Sequence, residues 1–221
     1  MTANNSLLID FHGFWHAGSG RSAGALVDAL VQKNANGLPV VGGRHIKGLL
    51  RHAVAKTEKL GWFSDLDLPE GPAKNIETLL FGSANQEEER FATLPGMLIV
   101  NDAGLPQAEA AWLAAPEQAE LLQYLYGQVS STAITELGSA QEHSLRAIEV
   151  SLPAQLTADL QLVVTAVDEA HRAQQKAWLS TLAPWLPLIE ASSLVDGVGS
   201  SRSRGLGEVS MSWQHSTGDT Q

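Results

Sequence analysis

The sequence contains no cysteine. A chain without cysteine forms no disulfide bond, has no thiol nucleophile and offers no thiolate ligand to zinc. Its seven histidines are therefore the only soft metal ligands, and their scattered spacing gives no support to a site built from histidines alone. Thiol catalysis and zinc-finger architecture are excluded.

Long apolar runs are also missing. No stretch reaches the roughly 20 apolar residues that a membrane-spanning helix needs. The opening residues MTANNSLLIDFHGF lack the basic start and the small-residue cleavage pattern of an export signal. With 221 residues, 44% of them hydrophobic, the chain is long enough to bury a core. We therefore expect a single cytoplasmic domain over residues 1–221.

Basic residues are in deficit, since 14 Lys and Arg face 24 Asp and Glu and the formal net charge is −10. That balance argues against a nucleic-acid-binding protein, which usually carries a basic excess. The deficit is uneven, however. Residues 11–60 contain seven bases and two acids, whereas residues 61–130 contain two bases and eleven acids. Such segregation suits a protein with one side toward a polyanion and an acidic remainder.

Hydrophobic periodicity predicts alternating strands and helices. In chain order they are a strand at 6–15, a helix within 42–62, strands at 145–152 and 155–167 that form a hairpin, a helix at 168–182 begun by an Asp168 cap, and a strand at 205–213. We interpret the acidic stretch 61–130 as an insertion, with a strand at 96–100 and a helical part interrupted by Pro116. Without it the order is βαββαβ, which predicts an α+β, ferredoxin-like (RNA-recognition-motif-like) core.

Both predicted helices are amphipathic. In the first, apolar residues at helical spacing predict a side that faces the core. Its basic residues fall near the opposite face: Arg44, Lys47 and Arg51. A cationic outer face is often only solvated, so this stripe identifies no ligand by itself. In the second helix the residues predicted to face the core are Ala170, Ala173, Ala177, Trp178 and Leu182.

The segment DGVGSSRSRGLGEV, residues 196–209, gathers glycine, serine and arginine before the last strand. Glycines allow close backbone approach to a ligand, and arginine guanidinium groups match phosphate oxygens. The segment does not fit a dinucleotide-binding turn, because Arg202 stands where the third glycine belongs. It is not a Walker loop, because Gly-Lys-Ser and Gly-Lys-Thr are absent from the chain. A phosphate-binding loop and a flexible surface loop both remain open.

Several short motifs occur in an order that resembles the RAMP superfamily of CRISPR-associated proteins. They are HAGSG, GLPVVGGRHIKGLLR, LFG, PGMLIVNDAGLP, SLRAIEVSLPAQL and GVGSSRSRGLGEV, and with the first strand they span residues 11–209. The likeness is greatest to the backbone subunit of type III RNA-guided effector complexes. It implies a prokaryotic, cytoplasmic, RNA-binding subunit in antiviral defense. The implied partners are a guide RNA, a complementary target RNA and other subunits, including copies of itself.

The resemblance also implies which residues contact RNA. The late glycine-rich loop would lie against the guide backbone, beside the start of the first helix and the turn after the first strand. The implied RNA-binding residues are His16, Ser19, Arg21, Gly43, Arg44, His45, Lys47, Arg51, Gly197, Gly199, Ser200, Arg202, Arg204 and Gly205. Backbone N–H groups and arginines bind phosphate without reading sequence, which suits a protein that accepts any guide.

Asp28 is the implied catalytic and metal-binding residue. In backbone subunits of the family, an aspartate on the loop between the first strand and first helix supports divalent-metal-dependent cleavage of target RNA, and Asp28 occupies the matching place. One carboxylate can hold a hydrated Mg²⁺ or another divalent cation, or orient a ribose 2′-hydroxyl for in-line attack. The alternative is a loop aspartate that is solvated or caps a turn.

The residues leave two other functions open. A stand-alone endoribonuclease that matures guide RNA would use two histidines as acid and base, but His12 and His16 would stand roughly 13 Å apart on a strand. An α+β enzyme would instead bind a small phosphorylated ligand through the glycine-rich loop. The predicted hairpin at 145–167 is also short for the thumb of a family backbone subunit. That departure favours an atypical backbone subunit or one that caps an end of the complex.

Overall fold

Six strands and five α-helices make up the described part of the chain, which comprises residues 2–24, 27–83, 93–136 and 138–214 of a computed structural model. The strands are β1 (Thr2–Phe11), β2 (Leu98–Val100), β3 (Tyr126–Ser131), β4 (Arg146–Ser151), β5 (Gln155–Val163) and β6 (Val209–Gln214). The α-helices are α1 (Gly43–Lys59), α2 (Ile76–Phe81), α3 (Gln107–Leu113), α4 (Glu169–Leu179) and α5 (Leu186–Ser192). Two 3₁₀ helices cover Pro116–Leu125 and Arg202–Arg204.

Four strands form the central sheet in the order β2-β5-β1-β6, and every neighbouring pair is antiparallel. Alternate residues Leu7, Ile9 and Phe11 of β1 are buried, as a strand with one covered face requires. Buried residues of α1, α4 and α5 belong to the same apolar cluster, so helices cover that face. Strands β3 and β4 form a separate two-stranded sheet. The predicted α+β class is confirmed.

The predicted hairpin between the two strands that follow residue 144 is wrong. Both strands exist, but β4 pairs with β3 while β5 pairs with β1 and β2. Pro153 between them has no N–H to contribute to a tight turn. Its neighbours bond elsewhere: the Leu152 N–H donates to the carbonyl of Leu125, and the Ala154 carbonyl accepts the N–H of Phe11, each at 3.0 Å. The chain therefore passes from one sheet to the other at this proline.

The acidic stretch 61–130 contributes to the core. Its predicted strand at 96–100 is confirmed as β2, which pairs with β5 in the central sheet. Helix α2 adds Leu79 and Leu80 to the buried cluster. The predicted helical part is confirmed as α3 and the 3₁₀ helix that begins at Pro116. Neither of these two fully described helices buries a residue.

Helix α4 begins as predicted, since the Asp168 carboxylate accepts the N–H of His171 at 2.9 Å. Of its predicted core side only Trp178 is confirmed, because Ala170, Ala173 and Ala177 are exposed and Leu182 lies beyond the helix. The buried residues are His171, Gln174, Gln175 and Trp178. The amide of Gln174 donates to the carbonyls of Pro69 and Ala73 and accepts the N–H of Ala73. Hydrogen bonds to crossing loops thus offset the burial of polar side chains.

Helix α1 is confirmed, and its buried side is the predicted one: Ile46, Leu50, Ala53 and Val54. Its exposed side differs from the prediction. Exposed residues along the helix are Arg44, His45, Gly48, His52, Lys56 and Lys59, whereas Lys47 and Arg51 are only partly exposed. In the described part of the chain, no helix is both long and apolar enough to cross a membrane.

Candidate functional site

Three segments that are distant in sequence meet beyond the end of β1. The Ser200 N–H donates to the carbonyl of His16 at 2.9 Å, and the Gly199 N–H donates to the His45 ring at its Nε2 atom at 3.3 Å. The turn after β1, the start of α1 and the late glycine-rich loop are therefore in direct contact. Between them lies a small cleft of about 210 Å³, which we call the junction cleft. It is lined by Ala17, Gly18, Gln32, Gly42, His45, Gly199 and Ser200.

Close packing of the glycine-rich loop explains why two of its positions are occupied by glycine. Gly199 has a φ of +98°, and a Cβ there would lie 2.4 Å from the carbonyl oxygen of His16. Gly207 has a φ of +74°, and a Cβ there would lie 2.1 Å from the carbonyl oxygen of Val198. A larger residue at position 199 would force the loop away from the turn after β1. A larger residue at position 207 would separate the two strands of the loop at Val198. The sequence prediction included Gly199 but did not include Gly207.

The two arginines of the loop are exposed beside the cleft. They lie in the short 3₁₀ helix Arg202–Arg204, which is preceded and followed by left-handed residues, Ser201 and Gly205. Arg202 donates to the carbonyl of Gly197 at 3.3 Å, which holds its side chain along the loop. His45 is exposed as a residue, but its ring is partly buried, and this partial burial and then the nearby Arg202 charge lower its pKa. The positive charge of Arg202 thus reaches the start of α1.

Protein atoms occupy the space at the N-terminus of α1. The Gly43 N–H donates to a carboxylate oxygen of Asp102 at 2.7 Å, and a Cβ on Gly43 would lie 2.2 Å from the carbonyl oxygen of Val100. The positive end of the helix therefore already has an anionic partner. Sequence reasoning missed Asp102, although it stands in the PGMLIVNDAGLP motif that carries the family resemblance.

The structure does not bring Lys47 and Arg51 to the junction cleft. The Lys47 ammonium donates to the carbonyl of Leu98 in β2 at 2.6 Å, and burial followed by the Arg51 charge lowers its pKa. The Arg51 guanidinium is paired with Glu77 in α2 and donates to the carbonyl of Gly82 at 2.8 Å. Both cations stabilise the contact of α1 with the elements that follow it.

The turn after β1 uses most of its polar groups internally. His16 is 4% exposed, and its ring Nδ1 lies 2.6 Å from the carbonyl oxygen of Glu149. His12 is exposed, so the two histidines do not form an acid–base pair on one surface. The Ser19 hydroxyl donates to the carbonyl of Leu30 at 2.9 Å. Of the predicted residues in this segment, Arg21 is the one whose side chain is fully exposed.

A second, wider groove of about 670 Å³ adjoins the junction cleft. Gly18 and Gln32 line both, so the two spaces are neighbours. Among the other residues of the groove are Arg21 and Lys33. The exposed polar surface therefore extends from the glycine-rich loop past the turn after β1.

A charge network forms one wall of this groove and was not predicted. The Lys33 ammonium is 2.8 Å from the Glu149 carboxylate and 3.6 Å from the centre of the Tyr126 ring. The same carboxylate accepts the N–H of Val31 at 3.0 Å. Burial, and then the charge of Glu149, raise the pKa of Tyr126, whose hydroxyl donates to the carbonyl of Gly37. These residues stand far apart in sequence, so no local pattern identifies them.

Asp28 is exposed, and one oxygen of its carboxylate accepts the N–H of Ala147 at 2.8 Å. Among the described residues, the other carboxylate oxygen has no hydrogen-bond partner. In the part of the chain that is described, no three histidine or acidic side chains group as a metal site would require. Because Mg²⁺ is commonly held by one or two carboxylates with water and phosphate, Asp28 fits a divalent cation only if RNA and water supply the remaining ligands.

The open face of the central sheet differs from the cleft in composition. Its residues include Ser6, Asp10, Thr157, Asp159, Ser210 and Ser212. Where the strands are described, residues 4–10, 99, 155–163 and 210–214, this face carries neither an aromatic residue nor a lysine or arginine. Base stacking on the sheet, which RNA-recognition domains use, requires aromatic side chains there. The loops at the end of β1 are thus the more basic surface.

Fold and site together define an α+β domain in which a glycine- and arginine-rich loop before the last strand packs on the turn after the first strand and on the start of the first helix. The chain belongs to the RAMP superfamily, whose family model matches residues 8–210.

A solved chain with a similar fold comes from the cryo-EM structure of the Type III-B Cmr-beta bound to cognate target RNA. The TM-score is 0.62 at 10% sequence identity, and the match covers 95% of this chain and 96% of that one. At this identity the likeness shows the fold. No individual curated protein matches the chain.

Proposed function

We propose that this protein is an RNA-binding subunit of a type III RNA-guided effector complex and holds the RNA by its sugar-phosphate backbone. The observation that carries the proposal is the contact of three remote segments around the junction cleft, through the bonds of Gly199 and Ser200. The superfamily membership supports it, as does the similar fold of a chain in an assembly bound to target RNA. Guide RNA is the ligand that we assign to the cleft.

The strand order supports a ferredoxin-like core for this subunit. We leave out α2, α3, β3, β4 and the two 3₁₀ helices. The remaining order is then β1, α1, β2, β5, α4 with α5, and β6. Read across the sheet, the order is β6-β1-β5-β2, which is the fourth, first, third and second core strand in chain order. All neighbouring strands are antiparallel. The second core strand is then β2, from within the stretch that the sequence prediction treated as an insertion.

RNA binding here would be independent of base sequence. Exposed Arg202, Arg204 and Arg44 offer guanidinium groups, and the glycine-rich loop offers a close backbone surface. The open sheet face lacks the aromatic residues that would stack on bases. The neighbouring groove, which shares Gly18 and Gln32 with the junction cleft, would give the RNA strand a path toward Arg21.

The β3–β4 ribbon, residues 126–151, is the hairpin that best fits the thumb of the family. The predicted hairpin lay at residues 145–167, whereas the hairpin of the structure pairs β3 with β4, and its tip lies between residues 131 and 146. Ile134 and Leu145 near the tip are 70% and 72% exposed. Apolar side chains at such a tip can wedge against bases, so we propose that the ribbon divides the bound RNA.

The proposal is tested by fluorescence anisotropy with single-stranded RNAs of unrelated sequence and equal length. We expect similar affinities for all of them and a steep loss of affinity with added salt. Nucleotides and sugar phosphates serve as competitors. If the purified protein binds such a small ligand and no RNA, the small-ligand enzyme is the correct alternative. If the chain alone cuts guide precursors, it is a processing nuclease.

We also propose that Asp28 supports cleavage of the RNA paired with the guide. A divalent cation bound there with RNA phosphate would stabilise negative charge at the cleaved bond. Asp28 lies on the same small hairpin as Arg21, whose carbonyl accepts the N–H of Leu30 at 2.9 Å. The acid is therefore close in structure to the proposed RNA groove.

The informative variant is Asp28→Asn, because an amide oxygen keeps the hydrogen bond from Ala147 while the charge is removed. We expect the assembled complex to retain guide and target RNA but to lose Mg²⁺-dependent cleavage. Asp159→Asn, which removes an acid from the open sheet face, is the matched control and should cut normally. Normal cleavage by Asp28→Asn would move the catalytic role to another residue or another subunit.

A further inference from the structure

Three aromatic residues lie close together in sequence where β1 ends, and the fold treats them differently. Phe11 and Trp15 are buried and stacked on each other, with ring centres 4.3 Å apart. Phe14, which stands between them in the chain, is 44% exposed. A single exposed apolar side chain is common on protein surfaces, so its surroundings decide whether it serves a ligand.

The backbone around Phe14 is anchored on two sides. The Phe14 carbonyl accepts the N–H of Gly207 at 2.8 Å. Trp15 exchanges two backbone hydrogen bonds with Ser151, at 3.1 and 2.8 Å, and its indole N–H donates to the carbonyl of Leu152 at 2.8 Å. The Phe14 ring therefore stands on an ordered support, and a ligand that contacts it does not have to order a flexible loop.

Leu152 adds to the exposed apolar surface beside Phe14. Trp15 and Ser151 face each other across an antiparallel bridge, and both are fully buried. The next residue on each side, Phe14 and Leu152, therefore falls opposite the other and on the other side of the backbone. The 37% exposure of Leu152 agrees with this arrangement. We call Phe14 and Leu152 the apolar platform.

Two exposed arginines stand beside the apolar platform. The glycine-rich loop is bonded to the turn after β1 at two points, through the N–H groups of Ser200 and Gly207. Arg202 and Arg204 lie on the loop between these two contacts and are exposed. An aromatic ring next to guanidinium groups matches the two parts of a nucleotide, because the base is flat and aromatic and the phosphate is anionic.

The charges near the platform favour a base there over a phosphate. Asp196 and Glu208 are exposed and, together with Arg202, line a pocket of about 400 Å³. Within the described part of the chain, neither acid belongs to a salt bridge. Glu208 directly follows Gly207, the residue bonded to Phe14. Because carboxylates repel phosphate, the uncharged base suits the platform and the phosphates are left to the arginines.

Tyr126 is the other aromatic residue near the proposed RNA path, and it is already engaged within the fold. The Lys33 ammonium lies 3.6 Å from the centre of its ring. Its hydroxyl donates to the carbonyl of Gly37. One face and one end of this ring are therefore occupied, whereas Phe14 presents a ring beside the loop that carries the exposed arginines.

We propose that Phe14 stacks on one base of the bound RNA while Arg202 and Arg204 hold the adjoining phosphates. This rests on the proposed RNA-binding function and adds a base contact to it. Leu152 extends the apolar surface on which the base lies. Every base has an aromatic face, so stacking agrees with binding that is independent of base sequence.

The test compares two oligonucleotides of equal length by fluorescence anisotropy: a single-stranded RNA, and the same sugar-phosphate backbone with stabilised abasic residues. Phe14→Ala should bind the RNA about tenfold more weakly and should bind the abasic strand like the wild type. The slope of log affinity against log salt should stay the same, because no phosphate contact is lost. Phe14→Leu, which is apolar without a ring, should resemble Phe14→Ala, and Phe14→Tyr should resemble the wild type.

Photocrosslinking identifies the stacked residue directly. A series of RNAs carries one iodouridine, placed at a different position in each, because this base crosslinks under ultraviolet light to an aromatic ring stacked on it. Mass spectrometry of the digested wild type should place a crosslink on Phe14 for at least one RNA of the series. Crosslinks on other residues and none on Phe14 would overturn the proposal.

Trp62→Ala is the matched control, because Trp62 is 47% exposed and lies beyond the last residue of α1. It should bind both oligonucleotides like the wild type. Thermal unfolding should show all variants folded, and Phe14→Leu replaces Phe14→Ala if the latter is unfolded.

The outcomes separate this base contact from the RNA-binding function on which it rests. A wild type that binds no RNA overturns both. If the wild type binds RNA, the base contact alone is overturned by any of three results: Phe14→Ala binds RNA equally well, it loses the same affinity for the abasic strand, or Phe14→Leu binds like the wild type.

Discussion

Two pairs of basic residues look alike in the sequence and differ in the structure. Lys47 and Arg51 lie on α1 and bind a backbone carbonyl and the Glu77 carboxylate, respectively. Arg202 and Arg204 lie on the glycine-rich loop and are exposed. The first pair is partly buried and stabilises contacts within the fold, while the second stays exposed even though Arg202 also donates to the carbonyl of Gly197. Charge in an acidic chain therefore marks a candidate binding surface when the positive group stays exposed in the fold.

Gly199→Ala should have the largest effect, because it displaces the loop that carries the exposed pair. The substitution combines a φ of +98° with a Cβ 2.4 Å from the His16 carbonyl. We expect a loss of about 3 kcal/mol in the free energy of unfolding, together with loss of RNA binding. Gly205→Ala is the control, because its φ is +81° but no atom lies within 4 Å of the added carbon. Urea unfolding that gives equal losses for both would contradict close packing at Gly199.

Replacing the exposed pair by alanine, Arg202→Ala with Arg204→Ala, should weaken RNA binding about 100-fold at moderate salt. The slope of log affinity against log salt should fall by about 1.4, as two lost contacts to a single strand predict. The free energy of unfolding should change little. A control with the same change in charge is Lys74→Ala with Lys176→Ala, on the exposed surface away from the cleft. Equal effects of the two double variants would show that only net charge matters.

Arg51→Ala removes one member of the partly buried pair. In contrast to the loop double variant, it should lower the stability of the protein more than its RNA affinity. Glu77 and the carbonyl of Gly82 lose their donor, so the free energy of unfolding should fall by about 2 kcal/mol. Folded protein should keep most of its RNA affinity. Glu77→Gln, which removes the ion pair but retains a hydrogen-bond acceptor, should be milder. A large loss of RNA affinity in a stable Arg51→Ala variant would show that Arg51 belongs to the RNA-binding surface.

Local signals predicted the elements of the fold well. Apolar spacing identified α1, the Asp168 cap identified the start of α4, and the run at 96–100 identified β2. Partners of these elements were harder to predict, because strand pairing is settled by contacts between remote residues. The turn chemistry around Pro153 allowed a hairpin, yet backbone bonds to Leu125 and Phe11 place its two strands in different sheets.

The site was predicted in composition and less well in geometry. The prediction named the glycine-rich loop and the turn after β1, which the structure brings into contact, but it did not name Asp102, Gln32 or Gly207. Gln174 shows the physical reason on another helix: a polar side chain is buried when three backbone groups of a crossing loop satisfy it. Likewise, the glycine at the start of α1 suggests open space for a ligand. The sequence does not show that the remote Asp102 carboxylate occupies that space.

The smallest expected effect concerns His45, where the exposed arginine pair meets α1. Partial burial, and then the Arg202 charge, lower the pKa of His45 from its ordinary value of 6.5. As pH falls below about 6.5, the unfolded chain takes up this proton before the folded chain does, so the free energy of unfolding decreases. His45→Gln should be less sensitive to pH in that range, as measured by urea unfolding. Arg202→Ala should be intermediate, because burial is the larger cause and persists. Parallel pH curves for wild type and His45→Gln would mean that folding does not lower the pKa of His45 in solution.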